Sequence, residues 1–368
     1  MLANPSIKPV RPPEIIADNY DGVIDLYLTR PPALNSLSLN MVRTLYERLN
    51  EWRDDPKIKG IIIRGSGDKA FCAGGDLRAL YENRNNHEYG VEFDTLGYSI
   101  PLLISYLGKP SAPMMDGMVM GGGAGLGIYG THRIVTSNAV FAMPECAIGL
   151  FPDVGASRFF NHMPKGVGLY LALTGERING ADMIEYGLAD YYLPRQNFRG
   201  VYQWLIASPM MTGDAKTLDK FIREQCEKPP ESGLKQQEGI IEQHFGEAET
   251  IHDLWKNLDQ SEWGRQTKEL LKAKSPTSLA ITFRAQQLGK TMTLEEVIAM
   301  EYRLAQRCYR GHDFYEGIRA AIIDKDRQPK WQPARLEEVD PAVIEEYFAP
   351  LGANEMKLPT RPLPSVGK

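Results

Sequence analysis

The sequence predicts an α/β fold followed by a mostly helical C-terminal region. Three observations predict it. Short apolar segments alternate with helix-period segments through the first half of the chain. From Lys165 the pattern becomes helical. Two well-signalled helix starts then follow, at Ser275-Pro276 and at Thr293. The reading divides the chain into a catalytic core over 1–206 and a helical region over 207–368, with a polar insertion over about 207–260.

Gly22 to Leu28 alternates Val23, Asp25 and Tyr27 against Ile24, Leu26 and Leu28, a strand with both faces partly apolar. Arg30-Pro31-Pro32 stops it. Ser38 caps a helix running to about Trp52, with Val42, Leu45, Leu49 and Trp52 on its apolar face. Gly60 to Arg64 reads as a short buried strand, ended by the Gly65-Ser66-Gly67 loop. Strand, helix, strand at this spacing is an α/β unit. A second unit has a strand at Pro113 to Asp116, a helix opened by the glycines from Gly121 to Gly127, and strands at His132 to Thr136 and Ala139 to Ala142. Near Ala207 the composition turns charged and polar, broken by Lys228-Pro229-Pro230 and Glu231-Ser232-Gly233. Pro276 sits in the first turn of the next helix. Thr293 and Glu296 form a capping box for another, which stops near Gly311. The proline-rich tail after Trp331 is expected to wrap the surface, and no internal repeat is visible.

The charged share of 24% and net charge of −5 give no footprint for nucleic acid or an anionic membrane. Cys72, Cys146, Cys226 and Cys308 are far apart and contain no CxxC pair. That disfavours a zinc ribbon or a disulfide framework and predicts free thiols in a reducing compartment. Met1 to Glu14 is proline-rich, lacks an apolar core and carries Lys8 and Arg11 without an amphipathic arginine pattern. It reads as neither a secretory signal nor a clear transit peptide, so the expected location is the cytoplasm, or the mitochondrial matrix of a eukaryote. The nearest approach to a membrane-length apolar run, Ala112 to Tyr129, contains Asp116 and several glycines and reads as a buried turn region.

Three segments carry candidate chemistry: Ala70-Phe71-Cys72-Ala73-Gly74-Gly75-Asp76; Asp116-Gly117 with Gly121-Gly122-Gly123-Ala124-Gly125; and Met143-Pro144-Glu145 with Phe151-Pro152-Asp153-Val154-Gly155. Glycines let a ligand approach the backbone, and a helix start adds N–H groups and a dipole that favour negative charge. Donors from two segments, Gly75 and Gly122, suit an enolate or a tetrahedral oxyanion. Loss of one such donor typically costs about 3–4 kcal/mol of transition-state stabilisation. The plainer reading gives these glycines to turns and tight helix packing. Glu145 and Asp153 each sit in apolar company, which raises a carboxyl pKa and suits base or nucleophile duty. The plainer reading makes Glu145 a turn cap and Asp153 a helix start.

Other motifs lead elsewhere or nowhere. Gly125-Leu126-Gly127-Ile128-Tyr129-Gly130 matches GxGxxG, with Glu145 at the distance, about 20 residues, of a ribose-binding acid. Its glycines fall within the helix rather than in the turn before it, which argues against a dinucleotide site. No histidine lies in an HExxH motif, and His132 and His312 read as structural. Gly-x-Ser-x-Gly and GxxxxGK[ST] are absent.

The three segments, in this order and spacing, resemble the crotonase (enoyl-CoA hydratase/isomerase) superfamily. Within it the chain resembles the 3-hydroxyisobutyryl-CoA hydrolase family. The likeness rests on Gly121 to Gly125, Phe141 to Glu145 and Gly149 to Gly155. It continues in Ser275 to Leu279, Met300 to Leu304, Arg310 to Phe314, and Glu316-Gly317 to Asp326. It implies a spiral of ββα turns and a helical C-terminal region that often mediates homo-oligomerisation. It implies coenzyme A along the Ala73, Gly74 and Asp76 loop beside Gly121, with the thioester carbonyl held by the N–H groups of Gly75 and Gly122. Glu145 becomes the main catalytic residue and Asp153 its partner. No cofactor or metal is implied, since CoA belongs to the acyl-CoA substrate. Hydratases of this kind carry a glutamate two residues after the triple glycine, where this chain has Gly125.

The expected reaction is therefore hydrolysis of 3-hydroxyisobutyryl-CoA, or a related β-hydroxyacyl thioester, as in valine degradation. Glu145 attacks the carbonyl or activates water, and the residues leave both routes open. Asp153 binds the substrate hydroxyl or helps deliver water. Two rivals are a hydratase or isomerase of unsaturated acyl-CoA, and a non-catalytic subunit like mitochondrial ribosome-associated relatives. Lys69 and Arg78 flank the first loop as candidate phosphate contacts.

Overall fold

The computed structural model describes residues 12–207 and 215–361, so Lys8 and Arg11 lie outside it. Among the described residues ten strands form two sheets. They are β1 (Ile15–Tyr20), β2 (Val23–Leu28), β3 (Gly60–Gly65), β4 (Ala70–Cys72), β5 (Ser111–Met115), β6 (Met118–Met120), β7 (Ile134–Thr136), β8 (Val140–Ala142), β9 (Ile178–Asn179) and β10 (Tyr191–Leu193). The larger sheet has the order β1-β2-β3-β5-β7-β10 and the smaller β4-β6-β8-β9. The edge pairs β1/β2 and β8/β9 are antiparallel, and every other pair is parallel. Successive pairs β3/β4, β5/β6 and β7/β8 each send one strand to each sheet before a helix or helical turn follows. That is the spiral of ββα turns implied by the resemblance.

The β3 residues show why this sheet is central. Side chains alternate across a strand. Ile61 and Ile63 enter the main hydrophobic cluster, while Ile62 enters a second cluster on the opposite face. Both faces are covered, as a parallel sheet requires. The second face is closed by Val201 and Leu205 of the Phe198–Ala207 helix and by Leu218 and Ile222 of the Ala215–Gln225 helix. The stretch that reads as polar in sequence thus supplies core side chains. Further along it, Leu234, Ile241, Phe245, Leu254 and Leu258 join the main cluster, which extends from Ile24 to Met356.

Local signals translate directly into helix starts. Ser38 Oγ accepts the Met41 N–H at the head of the Leu39–Asp54 helix. Ser275 Oγ accepts the Ser278 N–H at the head of Pro276–Gly289. Thr293 and Glu296 make the reciprocal capping box of Leu294–Cys308. Five strands lie outside the sequence reading, among them the three-residue β4 and β6. β1 is an edge strand with mostly exposed side chains, and β9 and β10 are very short interruptions of a helical stretch. The tail also differs: it contains the Pro341–Phe348 helix and buries Leu336, Val339, Ile344 and Met356. No helix among the described residues is long and apolar enough to cross a membrane.

Candidate active site

The smaller sheet explains why three distant segments meet. β4, β6 and β8 are parallel neighbours, so their C-terminal ends lie along one edge, about 4.8 Å apart from strand to strand. β4 leads into Ala73–Asp76, β6 into Gly121-Gly122, and β8 into Met143-Pro144-Glu145. Because β6 is central, the glycine run lies between the other two.

The glycine backbones approach one another closely here. A Cβ built on Gly74 would lie 3.4 Å from Gly122 N, and one on Gly122 would lie 3.7 Å from Gly75 N. One on Gly121 would come within 2.8 Å of Glu145 Oε1. Gly121 also has φ +50°, where an L side chain is strained. It therefore admits the Glu145 carboxyl beside the backbone donors. The Gly122–Gly127 helix begins here, so Gly122 contributes one of the N–H groups a helix start leaves without an internal partner. Around Gly75 the bridge to Leu37 is closed by Leu37 N–H to Gly74 O and Asp76 N–H to Leu37 O. The Gly75 N–H stands outside that bridge.

A cavity of about 310 Å³ opens at this point. Its walls are mostly apolar, including Leu37, Val42, Leu80, Phe93, Ile100 and Phe314, with Ala73, Gly74, Gly75, Gly121 and Gly122 on one side. Its polar groups are Asp94, Tyr98, Glu145, Asp153 and Tyr309.

Glu145 begins a short helical turn, Glu145–Ile148, and is 6% exposed. Its Oε2 is buried without a hydrogen-bond partner. Burial pushes its carboxyl well above the ordinary carboxylate range, and the charge of Asp153 adds to the rise. Burial also raises Asp153, to about 6, against a 2.9 Å hydrogen bond donated by Tyr98 Oη to Asp153 Oδ2. Two carboxyls with raised and mutually dependent proton affinity share one apolar cavity.

Other sequence candidates sit differently. Asp76 Oδ1 accepts the Ala79 N–H as a helix cap, and Asp76 Oδ2 pairs with Arg30 Nη2 at 2.8 Å. Its carboxylate braces the loop whose other members line the cavity. Arg78 donates to Ile322 O, and Lys69 lies at the far end of β4 from that loop. The GxGxxG residues are packing glycines: a Cβ on Gly127 would collide with Met115, and one on Gly130 with Pro113. His312 Nε2 lies 2.8 Å from Lys330 O, and His132 stacks on Tyr191, both away from the cavity. Among the described residues no group of three His, Cys, Asp or Glu side chains is placed to hold a metal ion.

Sequence reasoning missed Tyr98, Asp94 and Tyr309. Asp94 is buried and accepts from Tyr309 Oη and Gln306 Nε2, both at 2.8 Å. Burial holds its carboxyl well above the ordinary range. These contacts join the His87–Gly97 helix to residues far along the chain, and no local spacing signals them.

A family model described as enoyl-CoA hydratase/isomerase matches residues 23–348. The mitochondrial 3-hydroxyisobutyryl-CoA hydrolase of Xenopus laevis is 41% identical over 345 residues, covering 92% of this chain and 88% of that protein. The human protein of the same description is 39% identical over 342 residues, covering 91% of this chain and 88% of its own. A solved structure described as an enoyl-CoA hydratase from Rhodobacter sphaeroides superposes with a TM-score of 0.85 at 33% identity, covering 94% of this chain and 100% of that one.

Proposed function

We propose the reaction from one premise: this chain belongs to the enoyl-CoA hydratase/isomerase family, in its 3-hydroxyisobutyryl-CoA hydrolase branch. The protein hydrolyses 3-hydroxyisobutyryl-CoA, or a closely related β-hydroxyacyl-CoA, to the free hydroxy acid and CoA. The observation that carries this reading is the Glu145 carboxyl, its Oε2 unpartnered, beside the backbone of Gly121 and Gly122 in an apolar cavity.

In this reading the N–H groups of Gly75 and Gly122 donate to the thioester carbonyl oxygen and stabilise the charge that develops on it. Glu145 attacks the carbonyl carbon and expels CoA thiolate to give a mixed anhydride, which water then hydrolyses to the free acid and the regenerated carboxylate, or it removes a proton from water that attacks the carbonyl and expels the thiolate directly. Thiolate is a good leaving group, so no strong general acid is required. Asp153, oriented by Tyr98, binds the substrate hydroxyl or the attacking water. Coenzyme A belongs to the substrate, and no resident cofactor enters the scheme.

The relatives above are described as mitochondrial, and the four cysteines are free thiols. Both fit a reducing compartment, the cytoplasm or the matrix. Homo-oligomerisation through the C-terminal helices belongs to the same proposal and is tested by analytical ultracentrifugation.

The hydratase description of the Rhodobacter sphaeroides structure favours a second reading, addition of water to an unsaturated acyl-CoA. Gly125 speaks against it. A Cβ there would lie 3.1 Å from Val154 Cβ and 3.2 Å from Pro101 Cγ, so the position offers no second carboxylate and a side chain there would have to push both neighbours back by a few tenths of an ångström. The deciding experiment is thiol release across a panel of acyl-CoA esters, with crotonyl-CoA hydration measured beside it. Fastest release from β-hydroxyacyl esters is expected, with loss of about 10²–10⁴-fold in Glu145→Gln. Hydration without thiol release, or full activity in Glu145→Gln, would overturn the assignment. In single turnovers in labelled water, label entering Glu145 identifies the anhydride route.

A further inference from the structure

A further buried carboxyl group, outside the cavity, holds the turn that presents Asp153. Glu301 lies on the Leu294–Cys308 helix and is 0% exposed. Its Oε2 accepts the Gly155 N–H at 2.6 Å and its Oε1 accepts the Ser157 N–H at 3.0 Å. Both donors follow Asp153 by a few residues, whereas Glu301 comes from the distant C-terminal region. A carboxyl group that takes one N–H on each oxygen is a two-point clamp, charge-assisted where the group is ionised.

The clamped backbone is strained. Val154 has φ +52° and Gly155 has φ +91°. A β-branched residue in that region is a genuine outlier, and such strain persists only where the surroundings over-determine it. Val154 also packs toward Gly125, which has no side chain to prop it. Burying an ionised carboxylate is costly and is tolerated where hydrogen bonds compensate it. Here the compensation comes from the two N–H groups of the strained turn. Burial raises the Glu301 carboxyl to about 8 although those two bonds lower it; below that pH the protonated group still presents both oxygens as acceptors, so the clamp rests on its two-point geometry. The titratable groups facing it are Asp153, Glu145, Tyr98 and Tyr129.

We propose that Glu301 is a positioning residue: its carboxyl group fixes the Val154 to Ser157 turn in the conformation that aims Asp153 into the cavity beside Glu145. It touches no substrate and acts through Asp153. The choice of thiol release as the kinetic assay rests on the function proposed above, whereas the clamp itself does not.

The test uses Glu301→Gln, which keeps the side-chain shape but offers one acceptor oxygen in place of two. Turnover should fall on the order of 10²-fold, as for a misplaced reacting group, with KM changed less than about threefold. Glu301→Asp, which keeps two acceptor oxygens, should recover part of the loss. In an Asp153→Asn background the Glu301→Gln change should cost little more, because both act through one group. Equal loss in both backgrounds, or unchanged turnover, would overturn the proposal. A second readout does not depend on activity. Hydrogen exchange of the peptide containing residues 153–157 should quicken in Glu301→Gln while peptides from β3 keep their rates. If exchange at 153–157 is unchanged, the clamp is refuted; if exchange quickens but no acyl-CoA is cleaved by the parent protein, the thioesterase reading fails and the clamp stands.

Discussion

Asp153→Asn separates what the site needs from what the fold prefers. Burial raises the Asp153 carboxyl from its ordinary 3.8 to about 6. At about 1.4 kcal/mol per pH unit, that rise corresponds to about 3 kcal/mol. The folded protein binds this proton more tightly than the unfolded chain. The stability it contributes is therefore complete below 3.8 and lost as the pH rises through about 6. Asparagine keeps the shape, still accepts from Tyr98 through its oxygen, and never ionises. The variant should be more stable than the parent at pH 8, by up to about 3 kcal/mol, with the gain shrinking below about 1 kcal/mol near pH 4. Urea unfolding followed by tryptophan fluorescence at both pH values measures this. Thiol release measured in parallel should fall on the order of 10²-fold. A variant that is less stable at pH 8, or equally stabilised at both pH values, would refute burial as the cause.

Further outcomes follow from the same geometry. Gly121→Ala puts a methyl group against Glu145 Oε1 in a backbone region that disfavours it; folding should lose about 1–3 kcal/mol by thermal denaturation and turnover on the order of 10²-fold. Tyr98→Phe removes the hydrogen bond that lowers the Asp153 pKa, so the acidic limb of the pH–rate profile should move to higher pH. Ile62→Ala, at a fully buried site between β3 and the second cluster, should cost about 2–5 kcal/mol in denaturant unfolding and leave KM unchanged.

What the sequence discloses about this protein depends on range. Ser38, Ser275 and the Thr293/Glu296 box act on N–H groups within three residues, and each appears as read. The apolar run at Ile61 to Ile63 is a strand because both of its faces are covered. The glycine segments and Glu145 were visible as candidates, since side-chain type and turn chemistry are local. Their convergence needed the parallel order of β4, β6 and β8, which no window of sequence contains. Asp76 shows the limit: its loop was legible, but its pairing with Arg30 is set by a fold that brings the two segments together. Tyr98 and Asp94 were invisible for the same reason. The polar stretch after Ala207 misled because charged surface residues outnumber Leu218, Ile222 and Phe245, which do the packing.

The roof of the cavity also bears on how the protein is made. Both sheets are complete in sequence once Leu193 has been synthesised, whereas Tyr309 and Phe314, which close the cavity, come much later. At about 5–20 residues per second, synthesis from Leu193 to Phe314 takes roughly 6–24 s. Throughout that interval a nascent chain can hold paired strands beneath an uncovered apolar trough walled by Leu37, Val42, Leu80 and Phe93. Chaperones grip such surface, and aggregation begins on it. The period of greatest risk for this protein therefore falls after its sheets have formed, and ends when the last third of the chain lays its helices across them.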